Sequence, residues 1–391
     1  MIRPPIRVLS AAWPSPMEPR RARFLENLHR AIGDRWQSEV VVPQIYAEDP
    51  GDELRREISV TRFPTLSPDG PVRSRHLGRF ESATYLLGME LAARERWPAS
   101  PHEEERGGVV LAHWVVPSGV IGRRVARRLR VPLVLYAHGS DVNRYGRSRL
   151  GRLALRRAVR GASLVFAASE ALRDLLLQDL PEKNPPRITV LPMGIDECFQ
   201  PATEPPPAPD PLRVLFVGDP IPSKGALRVA RAVARGLEEG LPIELTWLGG
   251  AGRSAPPSKV GHARGDLPPE EVAREMRSAH RLFLPSDAEG TPLVVQEAIA
   301  SALPWSATPV GGIPALAESA PGGSLLPSPE DEDALVEAIV EQFRQDLREG
   351  EAGVRRRHAA MVEWPGRAEL TVRERADRFH QELAGVLRWA S

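Results

Sequence analysis

Two glutamates eight positions apart, Glu289 and Glu297, stand in the stretch SDAEGTPLVVQE at 286–297. An apolar run ends just before it, a polar turn follows, and a helix is expected to open at Thr291 or Pro292, because proline suits a first helical turn. The N–H groups of Gly290, Thr291 and Leu293 would then point at whatever is held above that turn, and a helix amino terminus favours phosphate. One carboxylate at the tip and one about two turns along could hold two separated hydroxyl groups of an extended ligand. The same residues also read as a helix-capping acid and an ordinary surface glutamate.

A second segment shifts that balance. VGDPIPSKG at 217–225 follows an apolar run, with Gly218 at the strand end and Lys224 where a helix opens. Lysine occurs only at Lys183, Lys224 and Lys259, nearly every other cation being arginine, so one at such a tip stands out as a point charge for a diphosphate. It is no Walker loop, since the spacing differs and no Ser or Thr follows the lysine. Lys224, Glu289 and Glu297 together suggest a nucleotide that carries a sugar.

These side chains need a frame, and the chain supplies two similar ones. Strands are expected at 7–12, 38–42, 109–113, 133–137, 164–168 and 188–191, with amphipathic helices at 20–32, 119–130 and 148–160. Continuous apolar runs mark strands covered on both faces, as helix-flanked parallel sheets require. PATEPPPAPDP at 201–211 breaks the pattern, because it can sustain neither a helix nor a central strand. Alternation then resumes, with strands at 212–217, 243–248, 281–284 and 324–326 and helices at 225–238, 269–279, 291–302 and 331–349. The fold class is therefore α/β, two doubly wound Rossmann-like domains facing an interdomain cleft, with ligand expected beyond the carboxyl ends of the strands. The expected division is 1–198, a proline-rich linker at 199–211, and 212–369, with a helix at about 370–391 packing back on the first domain.

Composition narrows the class. With 391 residues the chain is too long for one core. Lys plus Arg number 52 against 51 acidic residues, so no whole-protein charge points to nucleic acid. One cysteine, Cys198, forms no internal disulfide, no Cys/His cluster has zinc spacing, and no run approaches 18 apolar residues. The expected location is cytoplasmic. Two arginine-rich helices, RRVARRLR at 123–130 and RSRLGRLALRRAVR at 147–160, suit either a solvated face or peripheral contact with the inner face of an anionic membrane. No aromatic residues interleave these arginines as a nucleic-acid surface would require.

The E-x7-E pair Glu289…Glu297, the run VGDPIPSKG, LFLPSDAEGTPLVVQEAIASALPWSATPVGGIP, LPMGIDECF and HWVVPSGVIGRRVARRLRVPLVLYAHGSDVN together resemble the family 4 retaining glycosyltransferases of the GT-B fold. The resemblance implies transfer of a hexosyl group from a nucleotide-sugar donor to a hydroxyl of a glycan or lipid-linked acceptor, in cell-surface polysaccharide or glycolipid synthesis. It implies no metal and no further cofactor. Glu297 would bind the ribose hydroxyls and Glu289 the donor-sugar hydroxyls. Lys224 and the N–H groups of Thr291 and Leu293, on either side of Pro292, would carry the diphosphate, and the turn at Arg264 and Gly265 would receive the base. His138, in the HGSD loop, would approach the donor sugar. His113 and Trp114 could line the acceptor site, and Asp141 could join them or cap a helix.

One position departs from the family. Asp219 stands where an arginine often follows the strand-end glycine, and Arg253 is a candidate replacement cation. That substitution keeps a non-catalytic nucleotide-sugar binder as an alternative. A nucleotide-sugar 2-epimerase of the same fold is disfavoured by the E-x7-E pair. A dinucleotide oxidoreductase is disfavoured because neither first βα turn carries G-x-G-x-x-G.

Overall fold

A computed structural model describes residues 3–65, 79–99, 107–178, 186–219, 221–250 and 259–390. The chain divides into two units, Met1–Gly194 with Val372–Ser391, and Ile195–Thr371. The boundary falls at Gly194, and residues 199–211 lie within the second unit, where Pro207 O pairs with His280 Nε2 at 2.9 Å.

In the first unit the chain runs β1 (Pro5–Leu9), α1 (Arg23–Ala31), β2 (Gln37–Pro43), β3 (Asp52–Arg55), β4 (Ile58–Phe63), α2 (Arg79–Arg96), β5 (Val109–His113) and α3 (Ser118–Leu129). It continues through β6 (Leu133–Ala137), α4 (Ser140–Tyr145), α5 (Arg149–Val159), β7 (Leu164–Ala167), α6 (Glu170–Gln178) and β8 (Arg187–Val190). The sheet order is β3-β4-β2-β1-β5-β6-β7-β8, parallel except for β3 against β4. Every residue of β5, β6 and β7 is buried, which is what their unbroken apolar runs required. The strand order reverses between β1 and β5, so the carboxyl ends of β1, β5 and β6 surround a topological switch point.

The β3–β4 hairpin was not expected from the sequence. Its two-residue turn is Arg56–Glu57, with φ of 48° and 69°, a left-handed pair that hairpins usually fill with Asn-Gly or Asp-Gly.

The second unit comprises β9 (Leu212–Val217), α7 (Ala226–Glu238), β10 (Ile243–Leu248), β11 (Gly261–Ala263), α8 (Pro269–Ser278), β12 (Arg281–Leu284) and α9 (Leu293–Ala300). β13 (Trp305–Ala307), α10 (Ile313–Ser319), β14 (Gly323–Leu325) and α11 (Glu332–Glu363) complete it. All strands are parallel in the order β11-β10-β9-β12-β13-β14, so the switch point lies between β9 and β12. Arg281 and Asp346 join β12 to α11 through a bidentate pair at 2.6 and 2.8 Å, both side chains being buried.

Helix α12 (Val372–Ala390) returns to the first unit. Phe379 packs on Phe166 and Tyr136 at ring distances of 5.0 and 6.3 Å, Trp36 Nε1 donates to His380 Nδ1 at 2.9 Å, and Arg35 pairs with Asp377 at 2.7 Å.

Candidate active site

In the second unit the loops leaving β9 and β12 meet at the switch point. Lys224 Nζ donates to both oxygens of Glu289, at 2.7 and 3.0 Å. The Glu289 side chain is 7% exposed and that of Lys224 32%, so the carboxylate is largely withdrawn from water while the ammonium keeps a solvent-facing side. Two further links hold the loops in register. Asp287 N–H donates to Ser223 O at 2.9 Å, and Arg228 of α7 reaches Pro285 O at 2.9 Å and Asp287 Oδ1 at 2.6 Å.

The backbone under Glu289 is gripped from the next loop. Gly312 N–H donates to Gly290 O at 2.6 Å, and Gly311, at φ 60°, lies so close that a Cβ there would stand 2.1 Å from Glu289 O. The VGGIP segment at 310–314 thus holds the Glu289 loop in place, a task its residue types alone do not signal.

Helix α9 opens at Leu293, one residue after the later of the two expected starts, with Pro292 as its N-cap at φ −68° and ψ 123°. Leu293 therefore belongs to the first turn, while Gly290 and Thr291 belong to the approach loop. Glu297 lies one turn into the helix. Burial pushes its carboxyl up to about 7, and the Asp196 carboxylate adds to the rise. Asp196 comes from the GIDECF segment, and its place beside Glu297 was invisible to spacing arguments.

Gly218, Gly249 and Gly265 bring the ends of β9, β10 and β11 together. Gly218 N–H donates to Leu248 O and Gly249 N–H to Gly265 O, at 2.9 and 2.8 Å. Gly249 has φ 122°, and a Cβ there would meet Gly218 O at 2.2 Å, so only glycine allows this approach. Arg264 contributes backbone to the turn, its N–H donating to Trp247 O at 2.9 Å, while its guanidinium pairs with Glu275 and lies 3.8 Å from Glu271. Asp219 is exposed beside Gly218, and Arg253 lies outside the described residues.

In the first unit, His113 ends β5 and His138 directly follows β6. His138 Nε2 is 3.1 Å from His113 Nδ1, and Tyr136 stacks on the His138 ring at 4.8 Å with 3° between planes. Trp114 also packs on His138, tilted at 4.8 Å, and is held at φ 65° in the left-handed region that bulky residues rarely adopt. Such strain is retained where the surroundings impose it, commonly at functional sites.

His113 is a correction to the expected acceptor lining: it is fully buried beneath His138, and its second nitrogen meets His29 Nε2 at 3.2 Å. Asp141 is also buried. In the first turn of α4 its two oxygens accept from Val115 N–H at 2.6 Å and Gly139 N–H at 3.1 Å, with the backbone N–H groups of Asp141 and Val142 also turned to it, so it braces the two strand-end loops at the start of its helix. Burial pushes its carboxyl up, opposed by those backbone donors. Among the described residues no group of His, Cys, Asp and Glu is arranged to hold a metal ion, and no helix is long and apolar enough to cross a membrane.

Both halves match known protein families. Residues 17–194 match the glycosyl transferase 4-like domain and residues 211–345 the glycosyl transferases group 1. The chain is 29% identical to the putative teichuronic acid biosynthesis glycosyltransferase TuaC of Bacillus subtilis, covering 76% of this chain and 74% of that protein. It is 30% identical to the D-inositol 3-phosphate glycosyltransferase of Actinosynnema mirum, covering 72% and 76%. Among solved structures, Anabaena HepE in complex with UDP and glucose superposes with a TM-score of 0.70 at 15% identity, covering 98% of this chain and all of that one. Two parallel Rossmann-like sheets, a Lys–Glu pair at the second switch point and these matches place the chain in the family 4-like glycosyltransferases of the GT-B fold.

Proposed function

We propose that the protein is a metal-independent, retaining hexosyltransferase that moves a sugar from a nucleoside diphosphate to a hydroxyl of a glycan or lipid-linked acceptor. The observation that carries this reading is Lys224 bridging both oxygens of Glu289 at the switch point, with Glu297 on the same helix-opening segment. Lys224 stabilises the diphosphate as negative charge grows on it, Glu289 orients the sugar hydroxyls, and Glu297 receives the ribose. The glycine-lined turn from Gly218 to Gly265 leaves backbone groups for the base, and His138 is a further substrate contact. In the same-face route the bond from the anomeric carbon to the phosphate oxygen breaks as the acceptor oxygen bonds that carbon. The acceptor proton passes to the departing phosphate.

The named work of TuaC, teichuronic acid biosynthesis, supports a cell-surface polysaccharide as the product class, and the UDP held by HepE supports a nucleotide-sugar donor. The exposed face of α5, where Leu150 and Leu153 stand among Arg149, Arg152 and Arg157, suits peripheral contact with an anionic bilayer that presents a lipid-linked acceptor.

The test is nucleoside-diphosphate release from UDP-, GDP- and ADP-sugars, with and without EDTA. Release from one donor, unchanged by EDTA, is the expected result. Saturable nucleotide binding with no release in the presence of candidate acceptors would instead favour a non-catalytic binder, the reading that Asp219 supports.

A further inference from the structure

Four side chains of the first unit form one hydrogen-bonded file. Ser38 Oγ lies 2.8 Å from His29 Nδ1, His29 Nε2 lies 3.2 Å from His113 Nε2, and His113 Nδ1 lies 3.1 Å from His138 Nε2. A neutral imidazole carries one N–H and one lone pair, so choosing the direction of any one link fixes every other. Burial holds His29 and His138 down at about 3 and His113 well below the ordinary histidine value, so no charged ring interrupts the file at neutral pH.

The Ser38 end selects the direction. Ser38 is 5% exposed, and among the described residues its hydroxyl meets no polar partner except His29 Nδ1. Were the proton on His29 Nδ1, the Ser38 O–H would be a buried donor without an acceptor, a cost the opposite direction avoids entirely. Ser38 therefore donates to His29, His29 donates through Nε2 to His113, and His113 donates through Nδ1 to His138. We propose that this file makes His138 a fixed hydrogen-bond donor, its Nδ1–H presented to an oxygen lone pair of the substrate, with Ser38, His29 and His113 as positioning residues. Among the described residues nothing pairs with His138 Nδ1, and the residue is partly exposed. With no lone pair at Nδ1, His138 is not the base that deprotonates the acceptor.

The inference rests on His138 being a substrate contact, and its test separates the two ideas. Long-range proton–nitrogen correlation spectra of the full chain at pH 7, with histidine labelled and peaks assigned by single His→Gln variants, read each tautomer directly. His29 is expected as the Nε2–H form, and His113 and His138 as Nδ1–H forms. An Nε2–H form of His138 in the wild-type protein overturns the proposal. Ser38→Ala leaves one unpaired nitrogen at His29 in either direction, so the preference closes and His138 shows both forms. Donor kcat/KM then falls in proportion to the Nδ1–H fraction lost. Ser38→Thr keeps the hydroxyl and retains both properties, whereas an unmoved tautomer in Ser38→Ala removes Ser38 from the mechanism. His138→Ala with wild-type kcat/KM would overturn the substrate contact alone, while the spectra still decide the file.

Discussion

Lys224 and Glu289 form a close ion pair, yet their exposures differ, and that asymmetry predicts how each responds to removal. Glu289→Ala leaves an ammonium that already faces water, so the fold survives and donor turnover is lost; unchanged circular dichroism with nucleoside-diphosphate release at background is the expected pair of readings. Lys224→Met strips a nearly buried carboxylate of its partner and is expected to lower kcat by about two to three orders of magnitude, the range for losing one charged transition-state contact. Glu297 makes the site sensitive to pH. Its carboxyl is pushed up to about 7, and the ionised form is the better acceptor for the two ribose hydroxyls of its proposed role, so nucleotide affinity should weaken as pH falls below 7. Glu297→Gln should weaken binding far more at pH 8 than at pH 6 and so flatten that profile, as isothermal titration at the two pH values would read. The stability sign is opposite to that of an ion-paired acid. A carboxyl raised on folding contributes stability below its unfolded value near 4.5 and loses it as pH rises through about 7. Glu297→Gln is therefore expected to raise Tm at pH 8 and leave it unchanged at pH 5. The charged trio was legible because few residue types can meet a sugar nucleotide. The His29–His113 contact was not, since its partners are 84 positions apart and meet only through the sheet order.

Elements place those residues by close backbone contacts that tolerate little change. Gly311→Ala combines a left-handed φ with a Cβ 2.1 Å from Glu289 O, so it must push the loop that carries Glu289 aside. We expect destabilisation of about 1–3 kcal/mol together with loss of turnover, while an alanine at the open, exposed Gly51 changes neither. The Arg281–Asp346 pair ties a central strand to α11, and Arg281→Ala leaves a buried carboxylate without its bidentate partner, held by Arg357 at 3.3 Å and Gln342 Nε2 at 3.5 Å. Breaking such a pair costs about 3–5 kcal/mol, which urea unfolding would detect. Apolar runs made the long parallel strands readable, and β5 and β6 fall on the expected bounds. β13 was missed because three residues between two prolines carry no periodicity, and the β3–β4 hairpin because Arg56–Glu57 gives no turn signal.

At the scale of the molecule, two units with separate hydrophobic cores should unfold as two events. A calorimetric trace is expected to show two transitions, with Arg281→Ala lowering only one. Deleting residues 372–391 uncovers Phe166 and Tyr136, and the prediction is that the first-unit transition disappears while the second persists. Net charge near zero leaves no global field to steer an anionic donor, so association should follow the local charges at Lys224 and Arg228 and change little with distant surface mutations. The return of α12 to the first unit also sets an order of events on the ribosome. The second unit is continuous in the chain and can close as soon as it emerges, but the first must wait, with one flank of its core open, until every residue of the second has been made. A polypeptide interrupted before α12 would thus carry a finished second unit and an unfinished first one, with aromatic surface that chaperones and proteases recognise. Such fragments are marked for removal by the topology itself.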